Sequence, residues 1–340
     1  MDERHVKNLM SFTLTYDDDF ECDRSSLNPY VIPALYFLML PIALVLNGVA
    51  AWVSLYLKST STFVIYLKNL VVADLIMAFL IPIKVANDLT GSSNTSFILS
   101  CRFFGVILYN IQYTCIALLG FISLDRFFKI VTPRNMLFCQ NVTFGRVVST
   151  LIWVIIFGCT GLPNIILTNK SPGNMTEIHD CMYLKTPAGL VYHTNTVICS
   201  SVFFWLVSVV VVVCYICIAR KVIQSFRNSG SNNNRGNQKI KLRVFLVVVV
   251  FFVSFLPYHA IRIPYTFRQI NFSSHNCSYV VGFFTKELSL WLATTNICMN
   301  PLLYVFLSRE FKEKLKTMTE NVFVSLKTAS VNKGNRPLSH

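Results

Sequence analysis

Three residues at three-residue intervals form the clearest candidate binding group in this sequence. His259, Arg262 and Tyr265 lie within an apolar stretch, and in a helix this spacing places them on one face. A guanidinium beside aromatic rings suits a flat anionic molecule, because its fork binds oxyanions and the rings stack on planar groups. The alternative is that the arginine only reaches toward lipid headgroups. We expect a binding pocket on this face.

Further aromatic and cationic residues occur at the same ends of neighbouring apolar stretches. They are Tyr109, Tyr113, Lys185, His193 and Lys286. Arginine and lysine around aromatic rings indicate a ligand with a planar base and phosphates. The motifs supply no nucleophile, base and oxyanion donor that could act together, so we do not expect an enzyme.

Asp125 and Arg126 form a second group, at one end of an apolar stretch. Ionised residues are costly to place at the edge of hydrocarbon, and their presence there indicates function. We expect Arg126 to pair with Asp125 at rest and to be released to meet a partner.

A third group consists of polar residues near the middle, or toward the same end, of apolar stretches. Its members are Asn47, Asp74, Asn296 and Asn300. Packed together, they would hold water or a sodium ion, whereas hydrogen bonding between helices is the alternative. The lone carboxylate of Asp74 favours the ion or water. We expect no other metal and no other cofactor.

Seven apolar stretches must position these groups, and each has the ~20 residues that a membrane-spanning helix needs. They are Tyr30–Tyr56, Val64–Asn87, Leu99–Ile130, Val147–Leu167, Thr194–Ile218, Lys241–Thr266 and Phe283–Leu307. The composition, 54% hydrophobic and 14% charged, agrees with a membrane protein. The predicted fold class is therefore all-α, a seven-transmembrane helix bundle with a short amphipathic helix after the seventh span.

The charge distribution predicts the orientation of the bundle. The net charge of +14 is not a nucleic-acid signal, because acidic residues precede the first span while basic residues fill the segment between spans five and six and the tail. Basic residues beside spans stay in the cytoplasm. We therefore expect residues 1–29 to be an extracellular N-terminus, 30–307 the seven-transmembrane domain, and 308–340 a cytoplasmic helix and tail.

Acceptor sequons for N-glycosylation agree with this orientation, since they fall in the predicted outer segments. They are Asn94, Asn174, Asn271 and Asn276. Asn141 also fits the sequon pattern, but it lies in a predicted inner loop and should remain unmodified.

Prolines interrupt three of the predicted spans, at Pro163, Pro257 and Pro301. Each removes a backbone hydrogen bond and permits the helix to bend. Phe255, just before Pro257, is placed to change rotamer at such a bend and act as a packing switch.

Long motifs within these spans resemble those of a known family. They are FVIYLKNLVVADLIM at Phe63–Met77, LPNIILTN at Leu162–Asn169, FFVSFLPYHAIRIPYTF at Phe251–Phe267 and KELSLWLATTNICMNPLLY at Lys286–Tyr304. The chain resembles the rhodopsin-like purinergic nucleotide receptors, in the branch that responds to ADP or UDP-sugars. This resemblance implies an extracellular nucleotide or nucleotide-sugar ligand and a heterotrimeric G protein of the inhibitory class as partner.

The resemblance also implies roles for individual residues. The base would stack on Tyr109, and Asn164 would line the pocket. The phosphates or their equivalents would contact Lys185, His193, His259, Arg262, Tyr265 and Lys286. The residues of G-protein coupling and switching would be Asp125, Arg126, Phe255, Pro257, Asn300, Pro301 and Tyr304.

Of the cysteines in predicted outer segments, the resemblance implies the pairs Cys101–Cys181 and Cys22–Cys277. The chain departs from the branch at three positions: Asn300 replaces the usual aspartate, Val197 an asparagine near the base, and Phe97 an arginine.

Two rival interpretations remain for the same residues. A receptor for an anionic lysophospholipid would use Arg262 and Lys286 in a similar way. A membrane transporter would need charged residues along several spans, whereas spans four and five lack them through their cores.

Overall fold

The computed structural model describes residues 30–89, 94–132, 141–170, 181–228, 234–271 and 277–334, and this part of the chain is almost wholly helical. Seven of its helices are long and apolar enough to cross a membrane. We number them as spans one to seven: Val31–Tyr56, Thr62–Asp88, Thr95–Ile130, Val142–Leu167, Pro187–Ser225, Phe245–Phe267 and Val280–Leu307. The predicted fold class is confirmed.

Local sequence determines where several of these helices begin. The Ser61 side chain accepts a hydrogen bond from the Val64 N–H and caps span two. Asn141 caps span four in the same way, with its Oδ1 2.9 Å from the Thr143 nitrogen. The sequon at Asn141 therefore coincides with a helix cap.

The bundle is arranged around span three, which is the most buried of the seven, whereas span four is the least buried. The core contains large aromatic side chains that are almost fully buried, among them Tyr36, Phe204, Phe255 and Tyr258. The outside of the bundle carries exposed leucine, valine and phenylalanine side chains. An apolar exterior of this kind suits lipid rather than water.

The cores of spans four and seven depart from regular α-helix close to their prolines. In span four the segment Phe157–Gly161 is π-helical and directly precedes Leu162–Leu167, which contains Pro163. Span seven is divided at Thr295 into Cys277–Thr294 and Asn296–Leu307.

Pro301 shows how the bundle compensates for a missing N–H. Proline cannot donate to the carbonyl four residues earlier, which here belongs to Ile297. The Asn47 Nδ2 of span one donates to that carbonyl at 2.9 Å. A neighbouring span thus supplies the hydrogen bond that the proline removes.

Different residues mark the two ends of the bundle. A disulfide joins Cys101, in the first two turns of span three, to Cys181, at the start of the 3-10 segment Cys181–Leu184. We call this the disulfide end, and the opposite end, with Asp125 and Arg126, the Arg126 end. The predicted Cys101–Cys181 pair is confirmed.

Several predicted features lie outside the described residues or side chains. Cys22, Asn174, Asn276 and the whole of residues 1–29 are among them, as are the side chains of Cys277, Asn94 and Asn271. The Cys22–Cys277 bridge, the sequons and the domain boundary therefore stay predictions.

The helix after span seven runs Arg309–Gly334, so it is longer than the short helix that we expected. Its first part is anchored, because Phe311 and Met318 are buried and Lys314 lies 5.4 Å from the centre of the Tyr56 ring. Farther along, Val322, Phe323 and Val324 are exposed.

Candidate functional site

A chain of hydrogen bonds connects spans three and six at the disulfide end. The Arg262 Nη1 donates to the Tyr113 hydroxyl at 2.6 Å, and that hydroxyl lies 3.1 Å from the His259 Nε2. The His259 Nδ1 lies 2.8 Å from the Phe255 carbonyl oxygen. Because a carbonyl only accepts, Nδ1 carries the proton, and in neutral His259 Nε2 accepts from Tyr113. The chain therefore runs from a cation to the backbone beside Pro257.

Arg262 also lies over three aromatic rings. Its guanidinium carbon is 4.9 Å from the centre of the Tyr109 ring, 5.4 Å from that of Tyr258 and 5.6 Å from that of Tyr113. Tyr109 and Tyr258 stack with their ring centres 6.2 Å apart. Tyr258, which is fully buried, was not among the predicted pocket residues, although it directly precedes His259.

No carboxylate pairs with Arg262 within the part of the chain that the structure describes, although its side chain is only 7% exposed. A buried cation requires a counter-charge or strong hydrogen bonds. The tyrosine hydroxyl and ring faces meet part of that need. The remaining capacity of its five-donor fork suits an incoming anion.

Lys185 is a second buried cation at the same end. Its Nζ donates to the Thr168 Oγ1 at 2.8 Å and lies 3.4 Å from the Asn164 Oδ1. No acidic side chain pairs with it in the described part of the chain, and burial lowers the pKa of the Lys185 ammonium to about 8. The loop that carries it is held by the disulfide and by a hydrogen bond from the Thr186 N–H to the Leu167 carbonyl.

Lys286 differs from these two cations because it has an acidic partner. It pairs with Glu287, which also binds the Lys84 Nζ at 2.9 Å. Lys84 in turn contacts Asp88 at 2.8 Å. Lys286 also lies 5.3 Å from the centre of the Tyr265 ring. Lys84 and Glu287 were not predicted: Glu287 directly follows Lys286 in the sequence, but its pairing with Lys84 joins spans two and seven.

The structure therefore brings most of the predicted pocket together. His193 lies close enough to Lys185, Arg262 and Lys286 for their charges to act on it, and Lys286 lies similarly close to Tyr109. Val197, one of the departures from the family pattern, is buried in span five. Phe97 packs beside the Cys101–Cys181 disulfide instead.

The predicted polar cluster forms around Asp74, which is fully buried. The Asn300 Nδ2 donates to both of its carboxylate oxygens, at 2.9 and 3.0 Å, and the Tyr304 hydroxyl donates at 2.9 Å. The side-chain oxygens of Asn47, Asn296 and Asn300 are buried acceptors without a hydrogen-bond partner in the described residues. Tyr304, which we assigned only to switching, thus belongs to this cluster as well.

At the Arg126 end, this structure does not contain the pair between Asp125 and Arg126 that we expect in the resting receptor. Asp125 instead binds the Lys129 Nζ at 2.9 Å and accepts a hydrogen bond from the Thr62 hydroxyl. Arg126 lies over the Phe63 ring at 3.7 Å, and its buried Nε has no hydrogen-bond partner among the described residues. Lys129 lies one helical turn after Asp125 and therefore reaches the carboxylate from the same face.

The predicted switch residue Phe255 is nearly fully buried below His259. Its ring meets that of Phe251 edge to face at 5.3 Å, and Phe251 stacks on Phe204 of span five at 5.9 Å. Phe204 also stacks on the His259 ring at 3.8 Å. A movement of Phe255 would therefore disturb aromatic packing between spans five and six.

Comparison with known proteins agrees with this geometry. Residues 46–304 match the family described as 7 transmembrane receptor (rhodopsin family). This chain belongs to that family. Human purinoceptor 13 is 42% identical over 290 residues, covering 85% of this chain and 81% of the relative. Bovine purinoceptor 14 is 34% identical over 299 residues, covering 88% and 87%.

Mouse G-protein coupled receptor 87 is also similar, at 38% identity over 289 residues that cover 84% of this chain and 79% of the relative. The chain is thus a purinergic-like G-protein-coupled receptor rather than an enzyme. As a rhodopsin-family receptor with seven spans, it is a multi-pass plasma-membrane protein with a G protein and an extracellular ligand as partners.

Proposed function

We propose that this receptor binds an extracellular nucleoside diphosphate or nucleotide sugar at the disulfide end. The observation that carries the proposal is the pair of buried cations without acidic partners in the described structure, Arg262 and Lys185, beside the stacked rings of Tyr109 and Tyr258. Phosphates need such cations once they leave water. A planar base needs an aromatic surface close by.

Each group would have a defined task in the bound state. Arg262 would bind phosphate oxygens with the part of its fork that Tyr113 does not use, and Lys185 would supply a point charge. Tyr109 would stack on the base. Lys286 would contact the ligand after exchanging its partner Glu287, which keeps its other cation, Lys84.

The names of two similar receptors support a nucleotide ligand, since the human and bovine relatives are both purinoceptors by name. An anionic lysophospholipid would use the same cations but would not need the stacked rings. We therefore favour the nucleotide.

The test is G-protein activation by ADP, UDP, UDP-glucose and lysophosphatidic acid. Wild-type receptor should respond to at least one nucleotide, and Arg262→Ala should weaken that response tenfold or more, because a charge-assisted hydrogen bond contributes about 1.5–3 kcal/mol. Arg102→Ala is the matched control, since Arg102 contacts Phe103 instead of the pocket. A response to the lipid alone, lost in Arg262→Ala, would refute the nucleotide and leave an anion receptor.

We further propose that the disulfide end faces outward, with the N-terminus outside and the tail inside. The acidic segment before span one and the basic segments at the other side support this orientation. Antibody labelling of intact cells should detect an N-terminal tag and miss a C-terminal one. The opposite pattern would reverse the assignment.

At the Arg126 end we propose coupling to a G protein of the inhibitory class. Opening of spans five and six would expose Arg126, which no carboxylate holds in the described structure. Arg126→Ala should abolish signalling while ligand binding and surface amount persist. A response that survives pertussis toxin would contradict the inhibitory class.

The Asp74 cluster fits a sodium ion, because three buried amide oxygens without partners among the described residues accompany a carboxylate. The ion would be held by Asp74, Asn47, Asn296 and Asn300. Its positive charge would offset the negative charge of the Asp74 carboxylate. If sodium binds there, it should lower agonist affinity in wild-type receptor and have no effect in Asp74→Asn.

A further inference from the structure

A hydrogen bond between spans four and five lies beside the candidate pocket without belonging to it. The Tyr192 hydroxyl donates to the backbone carbonyl of Cys159. Cys159 lies in the π-helical turn Phe157–Gly161, and Pro163, four residues after it, has no N–H that could form an α-helical bond to this carbonyl. The hydroxyl from span five donates to this carbonyl, as the Asn47 amide does to the carbonyl four residues before the span-seven proline.

The span-four side of this bond is connected to one of the unpaired cations. Thr160, next to Cys159, receives a hydrogen bond on its carbonyl from the Asn164 Nδ2 at 2.7 Å. That bond turns the Asn164 Oδ1 toward the Lys185 ammonium. The Thr160 hydroxyl also donates to the Asn110 Oδ1 in span three.

The segment is tightly packed against span three at this level. A Cβ on Gly161 would lie 2.9 Å from the Asn110 Nδ2, so span four approaches span three as closely as a glycine permits. Asn110 directly follows Tyr109, the ring below Arg262. The backbone around Cys159 is therefore fixed relative to two sides of the pocket.

The span-five end of the Tyr192 bond is connected to a third side of the pocket. Tyr192 directly precedes His193, on which the charges of Lys185, Arg262 and Lys286 act. The Tyr192 bond joins a side chain of span five directly to the kinked backbone of span four. This bond forms near Pro163 because the long tyrosine side chain extends from span five to the backbone of span four.

We propose that Tyr192 is a positioning residue for the pocket. Its hydroxyl caps the carbonyl that Pro163 frees, and it thereby fixes the disulfide end of span five, with His193, against the part of span four that holds Lys185. The proposal rests on the proposed function for the identity of its ligand. The coupling between Tyr192 and Pro163 is independent of the proposed function.

A double-mutant cycle tests the proposal. Tyr192→Phe removes the hydroxyl, and Pro163→Ala restores an N–H one turn after Cys159. Tyr192→Phe should weaken binding of ADP or UDP, whichever activates the wild type, by about threefold to tenfold, as expected for one hydrogen bond between membrane helices. In the Pro163→Ala background the same substitution should change affinity less than about twofold.

A positioning role predicts unequal effects on different ligands, whereas a general loss of folding would weaken the binding of all ligands alike. The loss in Tyr192→Phe should be larger for the nucleoside diphosphate than for its monophosphate, because the cations move out of register while the rings remain. Tyr183→Phe is the control, since the Tyr183 side chain is exposed at the same end. Equal losses in both Pro163 backgrounds, or no loss at all, would overturn the proposal.

The melting temperature of the ligand-free receptor in detergent provides the second readout of the same cycle. Tyr192→Phe should lower it in the wild-type background and leave it unchanged in the Pro163→Ala background. If no nucleotide binds the wild type, the proposed function fails, and this second cycle still decides whether Tyr192 caps span four.

Discussion

At the scale of single residues, the pocket depends on how few partners its cations have. Arg262 has a tyrosine hydroxyl and three rings, and Lys185 has a threonine hydroxyl and an amide oxygen. Neutral groups of this kind orient a cation without cancelling its charge. The charge therefore remains available to an anionic ligand, in contrast to that of Lys286, which Glu287 offsets.

Tyr113→Phe tests the hydrogen-bond chain that starts at Arg262. The ring remains, but Arg262 loses its 2.6 Å partner and His259 loses the donor to its Nε2. We expect nucleotide affinity to fall about tenfold, since a hydrogen bond to a charged group contributes about 1.5–3 kcal/mol. Competition binding measures the change. Tyr109→Phe should have a smaller effect. An equal effect would argue against a role for the hydrogen bonds that connect Arg262, Tyr113 and His259.

The pKa of Lys185 gives the pocket a predictable pH dependence. Its ammonium is charged below about pH 8, and its charge is lost as the pH rises above that value. Anion affinity should therefore fall between about pH 7 and pH 9, with binding accompanied by proton uptake at the alkaline end. Receptor stability should change in the opposite direction, because the unfolded lysine, with its ordinary pKa, binds more protons than the folded one.

Saturation binding at several pH values would reveal this dependence. Lys185→Met should have weaker affinity at neutral pH and a flatter profile across the same range. A profile equally steep in Lys185→Met would assign the titration to another group.

At the scale of helices, residue spacing predicted faces correctly but predicted partners less well. The i, i+3 pattern of His259, Arg262 and Tyr265 did produce one buried face. The partners of Asp125 and Lys286 were missed although Lys129 follows Asp125 by one helical turn and Glu287 directly follows Lys286. Thr62 and Lys84, both in span two, could not be assigned to those positions from sequence.

Lys129 and Thr62 together hold Asp125 and so connect spans two and three at the Arg126 end. Lys129→Gln should free the carboxylate to pair with Arg126 and so favour the resting receptor. We expect basal nucleotide exchange on the G protein to fall about twofold to fivefold, which corresponds to about 0.4–1 kcal/mol. Lys129→Arg, which keeps the charge, should stay near wild type. Increased basal exchange in Lys129→Gln would contradict this interpretation.

At the scale of the whole molecule, hydrophobicity alone was sufficient to find the seven spans, because the lipid requires long apolar helices with satisfied backbones. Their ends were less predictable. Span three begins at Thr95, before the predicted Leu99, and span five begins at Pro187, before the predicted Thr194. Both helices begin before the most apolar part of their spans, since helical hydrogen bonding continues beyond it.

The C-terminal helix was underestimated for a similar reason. Its sequence alternates charged and apolar residues, and only the apolar residues near span seven are buried among its described side chains. The second half continues to Gly334 through local helix formation.

The π-helical turn in span four has a consequence for chain length. A π-helical turn contains more residues per turn than the α-helix on either side, and so accommodates one additional residue without rotating the flanking segments. Deleting Gly158, whose position has open space around it, should restore a plain α-helix and leave a receptor that reaches the cell surface. Deleting Val154 from the α-helical part should instead rotate everything beyond it by about 100° and prevent folding. Span four thus has one place where evolution could add or remove a residue, and alignments of related receptors should concentrate single-residue gaps there.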